Sequence, residues 1–236
     1  MINQSASSRH LQTIDFATLF ASNIHDIKNL LFLLLGSLDE TINKTAENAD
    51  SKHLSHLSAL KYNGQLINDK LIQMLALFSM AQEHYQINLA YYSVEELIED
   101  MVIESKPLLI ARSITISGDI EDGLCWFFDQ GLVGGIISNA IHNAIGHAKN
   151  TIKINAYRKN DMLHITVEDD GNGFPQRLLN NSDAIRTLNI TEGKTGLGLY
   201  FSSVSAQMHV NKDKSGSILL NNGGDLKGAV FTLQLP

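Results

Sequence analysis

The sequence predicts an α+β protein in which a long helical hairpin precedes an α/β sandwich. Three observations predict this fold. Apolar residues recur three and four positions apart from about Thr13 to Gln82, with almost no turn residues between them. From about Tyr85 onward, short alternating segments and glycine-rich stretches replace that period. The predicted helices there lie between antiparallel strands, which is typical of a sheet with its helices on one face.

Two apolar seams define the predicted hairpin. They consist of Phe20, Ile24, Ile27, Leu31, Leu34 and Leu38, and of Leu57, Leu60, Ile67, Leu71, Met74 and Phe78. The polar stretch 45–51 separates them. Leu30, Leu33 and Leu35 make the first seam wider than a two-helix contact needs. We therefore expect two copies of the hairpin to form a four-helix bundle.

The part that follows is predicted to contain capped helices and short strands. Ser93 is the expected N-cap of a helix that runs to about Ala111, and Pro107 is expected to kink or end it. Asp129 is expected to cap a second helix that runs through His147, and a third helix covers about 197–208. The expected strands cover about 86–92, 114–116, 125–128, 152–156, 163–167, 217–220 and 229–235, with a turn at 159–161.

Composition excludes several classes of function. Of 236 residues, 44% are hydrophobic and 18% charged, which is ordinary for a packed protein. The net charge of -7 argues against a nucleic-acid binder. A single cysteine, Cys125, excludes an internal disulfide and a cysteine metal cluster, and it fits a reducing cytoplasm. The longest apolar run, 30–35, is too short to insert into a membrane, which needs about 20 residues.

A carboxylate and two glycines follow the predicted strand at 163–167. The segment reads Asp169-Asp170-Gly171-Asn172-Gly173-Phe174. A strand-end carboxylate can accept a hydrogen bond from an exocyclic amine such as that of adenine, and glycines let the backbone approach a ligand closely. A plain turn fits the segment equally well.

A glycine-rich loop enters the last predicted helix. Its residues are Lys194, Thr195, Gly196, Leu197 and Gly198, after Gly193 and before Leu199. Backbone amides at a helix N-terminus attract anions, and the lysine adds positive charge. The loop matches neither the dinucleotide fingerprint nor the P-loop, and a surface loop remains an alternative.

Two amides on one helix, and a histidine with two polar neighbours on another, complete the candidate residues. Asn139 and Asn143 share one face of a predicted helix, where their oxygens suit hydrated Mg²⁺ or serve as structural amides. His25 flanks the first apolar seam, with Asn29 one turn later on the same face. Asp26 is an adjacent acceptor that could orient the imidazole for nucleophilic attack. An exposed polar patch explains a lone histidine as well.

These four motifs, in this order, resemble those of bacterial two-component histidine kinases. His25-Asp26-Ile27-Lys28-Asn29 is similar to the phosphoacceptor box of that family, and the segment from Asn139 to Asn143 is similar to its N box. The segments around Gly171 and Gly196 resemble its two glycine boxes. The resemblance covers about residues 13–236.

The resemblance implies a division of the chain and a set of ligands. It implies an N-terminal tail at 1–12, a dimerisation and histidine phosphotransfer hairpin at 13–84, and a catalytic ATP-binding domain of Bergerat type at 85–236. The residues expected to bind the nucleotide are Asn139, Asn143, His147, Asp169, Gly171, Gly173, Lys194, Thr195, Gly196, Leu197 and Gly198. Asn143 is expected to ligate Mg²⁺. Gly146 stands where the N box often carries lysine, and His147 or Lys149 is the expected substitute.

The resemblance also implies an activity and partners. ATP would phosphorylate His25, with Asp26 as general base, and the phosphoryl group would pass to an aspartate of a response regulator receiver domain. Asn29 would position water to dephosphorylate that regulator. With about a dozen residues before the first helix, the signal is expected from a separate sensor protein, such as a haem-based gas sensor.

Other activities remain open at this stage. A histidine phosphotransferase shares the hairpin but does not use ATP. A Bergerat-type ATPase or an anti-sigma serine kinase shares the second domain, although Asn139 stands where the hydrolytic members carry a glutamate. A kinase-dead module that sequesters a regulator is a further alternative.

Overall fold

The computed structural model describes residues 16–45, 51–179 and 196–236. The chain begins with two long helices, α1 (Phe16–Thr45) and α2 (Ser51–Ala81). Gly64 of α2 faces Leu35 and Leu31 of α1, and Lys61 forms an ion pair with Asp39. Later positions of one helix thus meet earlier positions of the other, so the helices are antiparallel. The predicted helical hairpin is confirmed.

The hairpin of a single chain leaves a wide apolar face exposed. Ile24 is buried, but Leu30, Phe32 and Leu33 keep 67%, 75% and 68% of their surface in contact with solvent. Leu60 of α2 is 58% exposed. This surface is larger than the antiparallel pair can cover by itself. No helix among the described residues is long and apolar enough to span a membrane.

The rest of the described chain is built on a mixed five-stranded sheet. Its strand order is β2-β4-β5-β9-β8, with β2 parallel to β4 and the other neighbours antiparallel. A two-stranded sheet pairs β1 with β3, and a second pairs β6 with β7. The strands are β1 (Ala90–Ser93), β2 (Thr115–Ile120), β3 (Cys125–Phe128), β4 (Thr151–Lys159), β5 (Met162–Asp169), β6 (Val210–Asn211), β7 (Lys214–Ser215), β8 (Ser217–Gly223) and β9 (Gly228–Leu235). The helices are α3 (Val94–Ala111), α4 (Gln130–His147), α5 (Gln176–Leu179) and α6 (Gly196–Gln207).

Helix α4 forms the centre of the core against one face of the sheet. Ile136, Ile141 and Ile145 are fully buried and belong to the same apolar cluster as the inward residues of β4, β5 and β9. The N-caps agree with the sequence expectation. Ser93 accepts a hydrogen bond from the backbone amide of Glu96 (3.2 Å), and Asp129 accepts one from the amide of Leu132 (3.0 Å).

Three expectations about the local structure need correction, and one feature was not expected. The strand expected at 86–92 begins only at Ala90, because the amide of Asn88 donates to the Asp129 carboxylate (2.8 Å) instead of to a strand. Pro107 lies inside α3, which continues to Ala111. Strand β2 runs parallel to β4, and β3 with α4 supplies the crossover that a parallel pair requires. The short hairpin β6–β7 was not anticipated.

Candidate functional site

A cavity of about 480 Å³ opens between α4, the end of β5, α5 and the start of α6. Its walls are mostly apolar, with a few polar groups, which is the usual character of a small-molecule site. The lining residues are Ala140, Asn143, Ala144, His147, Val167, Asp169, Gly173, Phe174, Pro175, Arg177, Leu178, Leu199, Ala229 and Phe231.

Asp169 is the buried carboxylate of this cavity. It ends β5 and retains only 4% of its surface exposure. Its Oδ1 accepts hydrogen bonds from the backbone amides of Gly171 (2.8 Å) and Ala229 (3.3 Å). Two backbone donors fix the carboxylate, and among the described residues no donor engages Oδ2. The second oxygen therefore faces the cavity as a free acceptor.

Glycines pack closely around this carboxylate. A Cβ at Gly171 would collide with the carbonyl oxygen of His147, and a Cβ at Gly228 would collide with the carbonyl oxygen of Asp169. Gly173 has φ +80°, a conformation that side chains disfavour. Gly171 and Gly173 were expected at the site. Gly228 was missed, because it lies 59 positions from the carboxylate and only the β5–β9 pairing brings them together.

The two predicted amides of α4 occupy different environments. Asn143 lines the cavity. Asn139 is buried outside the lining, where its Oδ1 accepts hydrogen bonds from Gln73 (3.0 Å) and Lys70 (3.3 Å) of α2. Its Nδ2 donates to the carbonyl oxygen of Gly198 (3.3 Å). Asn139 thus connects α4 with both the hairpin and the start of α6.

Three of the remaining predicted residues belong to the start of α6. Gly196, Leu197 and Gly198 form its first turn, and the next residue, Leu199, lines the cavity. His147 lines the cavity from the end of α4. Lys194 and Thr195 lie outside the described residues.

Phe174 and Arg177 are cavity residues that the motif analysis did not single out. The backbone of Phe174 is held on both sides by the Asn222 side chain, which accepts from its amide (2.6 Å) and donates to its carbonyl oxygen (2.9 Å). Asn222 belongs to β8 and carries no sequence signal of such a role. Aromatic residues near a glycine box are the signal that could have identified Phe174.

The candidate nucleophile lies on the hairpin, outside the cavity lining. The His25 side chain is 61% exposed, and its Nδ1 lies 3.1 Å from Nδ2 of Asn29. The nearest carboxylate oxygen of Asp26 is 4.0 Å from the same nitrogen. Asn29 and Asp26 therefore both lie near Nδ1, and the other ring nitrogen, Nε2, is left open to solvent.

A family model matches the second half of the chain. Residues 129–236 match the model described as histidine kinase-, DNA gyrase B-, and HSP90-like ATPase. The matched range contains Asn139, Asn143, the Asp169 cavity and the start of α6.

Curated relatives extend the similarity to the residues before 129. The virulence sensor histidine kinase PhoQ of Salmonella typhimurium is 23% identical over 239 residues, which span 100% of this chain and 47% of PhoQ. The chain therefore spans about half the length of this curated relative. The resemblance to histidine kinases is confirmed.

Solved structures share the fold. The histidine kinase AdeS of Acinetobacter baumannii matches with a TM-score of 0.56 and 17% identity, over 89% of this chain and 96% of the AdeS chain. Full-length ShkA in complex with AMPPNP matches with a TM-score of 0.62 and 19% identity, over 93% of this chain and 46% of ShkA. The α+β architecture with its helical hairpin is therefore that of known histidine kinase structures.

Proposed function

We propose that this chain is an ATP-dependent protein histidine kinase that autophosphorylates His25. The observation that carries the proposal is the cavity of the ATPase domain, in which Asp169 presents an unused carboxylate oxygen among apolar walls. The phosphoryl group then passes to an aspartate of a response regulator receiver domain. The sequence relatives support this activity, since PhoQ is a histidine kinase.

The cavity has the chemistry to select adenine. Oδ2 of Asp169 accepts the exocyclic amine, which is a donor in adenine, whereas guanine presents a carbonyl acceptor at the same position and is repelled. Val167, Leu199 and Phe231 supply apolar walls for the flat ring. Gly171 and Gly173 let the backbone approach the base without side-chain interference.

The triphosphate then extends towards the start of α6. Backbone amides of the first helical turn are unsatisfied within the helix and attract anions, and Gly196 and Gly198 leave them accessible. Asn143 offers an oxygen within the cavity lining. No group of three His, Cys, Asp or Glu that could hold a metal occurs in the described part of the chain. This fits Mg²⁺, which takes few protein ligands beside water and phosphate oxygens.

His25 accepts the phosphoryl group through Nε2. In the structure Nδ2 of Asn29 donates to Nδ1 at 3.1 Å, which places the imidazole proton on Nε2. Attack requires the other tautomer, with the proton on Nδ1, so the Asn29 amide must turn away and Nδ1–H must donate to a different acceptor. Asp26 provides it after approaching from 4.0 Å to hydrogen-bond distance, about 2.8 Å. The new N–P bond forms as the bond from γ-phosphorus to the bridging oxygen breaks, ADP leaves, and the carboxylate takes the Nδ1 proton. Asn29 positions a water molecule that hydrolyses the aspartyl phosphate of the regulator and releases inorganic phosphate.

The exposed hairpin face supports a homodimer, and the other partners are those of the proposed kinase activity. Residues 13–84 form the dimerisation and phosphotransfer hairpin, and residues 85–236 the catalytic domain. The exposed leucines of α1 support a homodimer, because a second hairpin would bury them in a four-helix bundle. The receiver domain binds beside His25, and a separate sensor protein supplies the signal in the cytoplasm.

Incubation with γ-labelled ATP and Mg²⁺ tests the proposal. A kinase retains the label on the protein, whereas an ATPase releases it as free phosphate. We expect stable protein-bound label and slow release of phosphate until a receiver domain is added. Rapid release of free phosphate without protein-bound label would contradict the kinase. Absence of ATP binding would instead favour a histidine phosphotransferase.

A further inference from the structure

The helices at the phosphate end of the cavity bring no fixed positive charge. Neither α4 (Gln130–His147) nor α6 (Gly196–Gln207) contains a lysine or an arginine. An ATP triphosphate carries about four negative charges, and helix amides with one divalent ion offset only part of them. Arg177 of α5 lines the cavity, and Lys194, which the sequence places before α6, lies outside the described residues. A cation from the hairpin would add to the positive charge where α4 meets α6.

The hairpin places a lysine at this point. Nζ of Lys70 on α2 lies 3.3 Å from Oδ1 of Asn139 and 3.4 Å from the position that a Cβ of Gly198 would occupy. Gly198 belongs to the first turn of α6, and the following residue, Leu199, lines the cavity. The Lys70 ammonium thus lies outside the cavity lining and beside the first turn of α6, whose amides attract anions.

Lys70 has no counter-ion that would explain its position. In the described ranges no carboxylate oxygen lies within 4.0 Å of its Nζ, and its other contact is the neutral Oε1 of Gln73 (3.4 Å). Desolvation by the surrounding protein lowers the pKa of Lys70, while the neighbouring Asp69 raises it. Because its side chain remains partly exposed, the ammonium is accessible to a ligand.

Lys70 also lies close to the level of His25 along the hairpin. Gly64 packs against Leu35. His25 lies ten residues before Leu35 on α1, which is about 15 Å along the helix axis. Lys70 lies six residues after Gly64 on α2, which is about 9 Å. Because the helices are antiparallel, both displacements from the Gly64–Leu35 contact have the same direction. The lysine and the candidate nucleophile are thus about one helical turn apart in height, on the same structural unit.

We propose that Lys70 is a catalytic residue of the kinase reaction: its ammonium binds the phosphate oxygens of ATP at the start of α6 and neutralises charge as the γ-phosphoryl group moves to His25. This inference rests on the proposed function. Since Lys70 belongs to the hairpin, the cation reaches the phosphates only while α2 is docked on the ATPase domain. Docking and chemistry are thereby coupled through one side chain.

Four variants test the role of the charge. Lys70→Met removes the charge, Lys70→Arg keeps it, and Gln73→Ala removes a neutral donor to the same oxygen of Asn139. Lys106→Met removes one charge from an exposed site on α3. We expect Lys70→Met to lower the labelling rate at saturating ATP by about 10²-fold, with Lys70→Arg restoring much of it. Gln73→Ala and Lys106→Met should change that rate by less than about threefold, which is far below the effect of removing a transition-state interaction.

A binding measurement keeps the inference falsifiable if the purified protein takes no label. Titration with ATP and ADP in the presence of Mg²⁺ should show a preference for ATP that falls by about tenfold in Lys70→Met, because the variant lacks one charge-assisted hydrogen bond to the phosphates. Equal losses in Lys70→Met and Gln73→Ala would assign a docking role and overturn the inference. So would an unchanged labelling rate and ATP preference in Lys70→Met. If neither the wild type nor any variant takes label, but Lys70→Met still lowers the preference for ATP over ADP, only the proposed function is contradicted.

Discussion

Replacement of Asp169 by asparagine tests the nucleotide site with a single atom change. The asparagine keeps an oxygen for the amides of Gly171 and Ala229, so the end of β5 retains its two hydrogen bonds. The variant loses the charge and presents an amide donor to the cavity in place of Oδ2. Fold and binding are thereby separated, because the groups that hold the loop are unchanged.

The expected magnitude has two parts, the hydrogen bond that the substitution removes and the donor that it leaves unpaired. A hydrogen bond to a charged acceptor contributes about 1.5–3 kcal/mol, and a buried donor left without a partner costs about 1–3 kcal/mol. Together these lower ATP affinity by about 10²- to 10⁴-fold, at about 1.4 kcal/mol per factor of ten. Isothermal titration with ATP and Mg²⁺ measures the loss, and thermal unfolding without nucleotide checks that the fold is intact.

The neighbouring aspartate provides the matched control. Asp170 accepts hydrogen bonds from the amides of Lys149 (2.7 Å) and Asn150 (3.1 Å) and does not line the cavity. Asp170→Asn should change ATP affinity by less than about threefold, since this carboxylate makes no hydrogen bond to the ligand. ATP affinity retained in Asp169→Asn, or an equal loss in both variants, would refute the assignment of the adenine contact.

Three further predictions test the fold around the site. Gly228→Ala should abolish ATP binding, because its Cβ would collide with the carbonyl oxygen of Asp169 and crowd the carboxylate of the same residue. Gly146→Ala in α4 meets nothing within 4 Å, so it should retain ATP binding and raise the unfolding free energy by about 0.5–1 kcal/mol. Titration with ATP and denaturant melts measure both effects, and ATP binding retained in Gly228→Ala would contradict the prediction. Leu33→Glu should convert the proposed dimer into a monomer in analytical ultracentrifugation, and a dimer that persists would place the interface elsewhere. Burial lowers the pKa of His142 from 6.5 to about 4, so the stability it contributes is present above pH 6.5 and is lost as pH falls towards 4. Burial raises the pKa of Asp69 from 3.8 to about 6, so the stability that Asp69 contributes is present below pH 3.8 and is lost as pH rises through 6. As pH falls, the contribution of Asp69 therefore grows while that of His142 is lost, and Asp69→Asn should steepen the loss of stability between pH 6.5 and 4. An unchanged pH profile of the melting temperature in Asp69→Asn would contradict this.

The sequence predicts the elements whose local signals are complete. Ser93 and Asp129 are N-caps followed by long apolar periods, and both helices begin where these caps place them. The turn after β4 was expected because Asn160 and Asp161 tolerate the positive φ angles of 55° and 56° that a tight hairpin requires. Local chemistry determines such features, so the sequence is sufficient to find them.

The features that sequence reasoning missed depend on contacts between distant residues. Gly228 is required by its packing against Asp169 across a strand pair, and Asn222 by its bonds to the backbone of Phe174. Asn139 was expected to bind the nucleotide, and its hydrogen bonds to Gln73 and Lys70 of the hairpin carried no sequence signal. No local pattern records which helix will dock on which, and the role of Lys70 emerges only from that docking.

Mapping of the phosphorylated residue tests the central claim most directly. Wild-type protein and His25→Ala are incubated with γ-labelled ATP and Mg²⁺, and ATP binding is measured on the same samples. We predict acid-labile, alkali-stable label on the wild type, none on His25→Ala, and equal ATP affinity for both, because His25 lies outside the cavity lining. Equal labelling of His25→Ala, or label that is stable in acid, would contradict phosphorylation of this histidine.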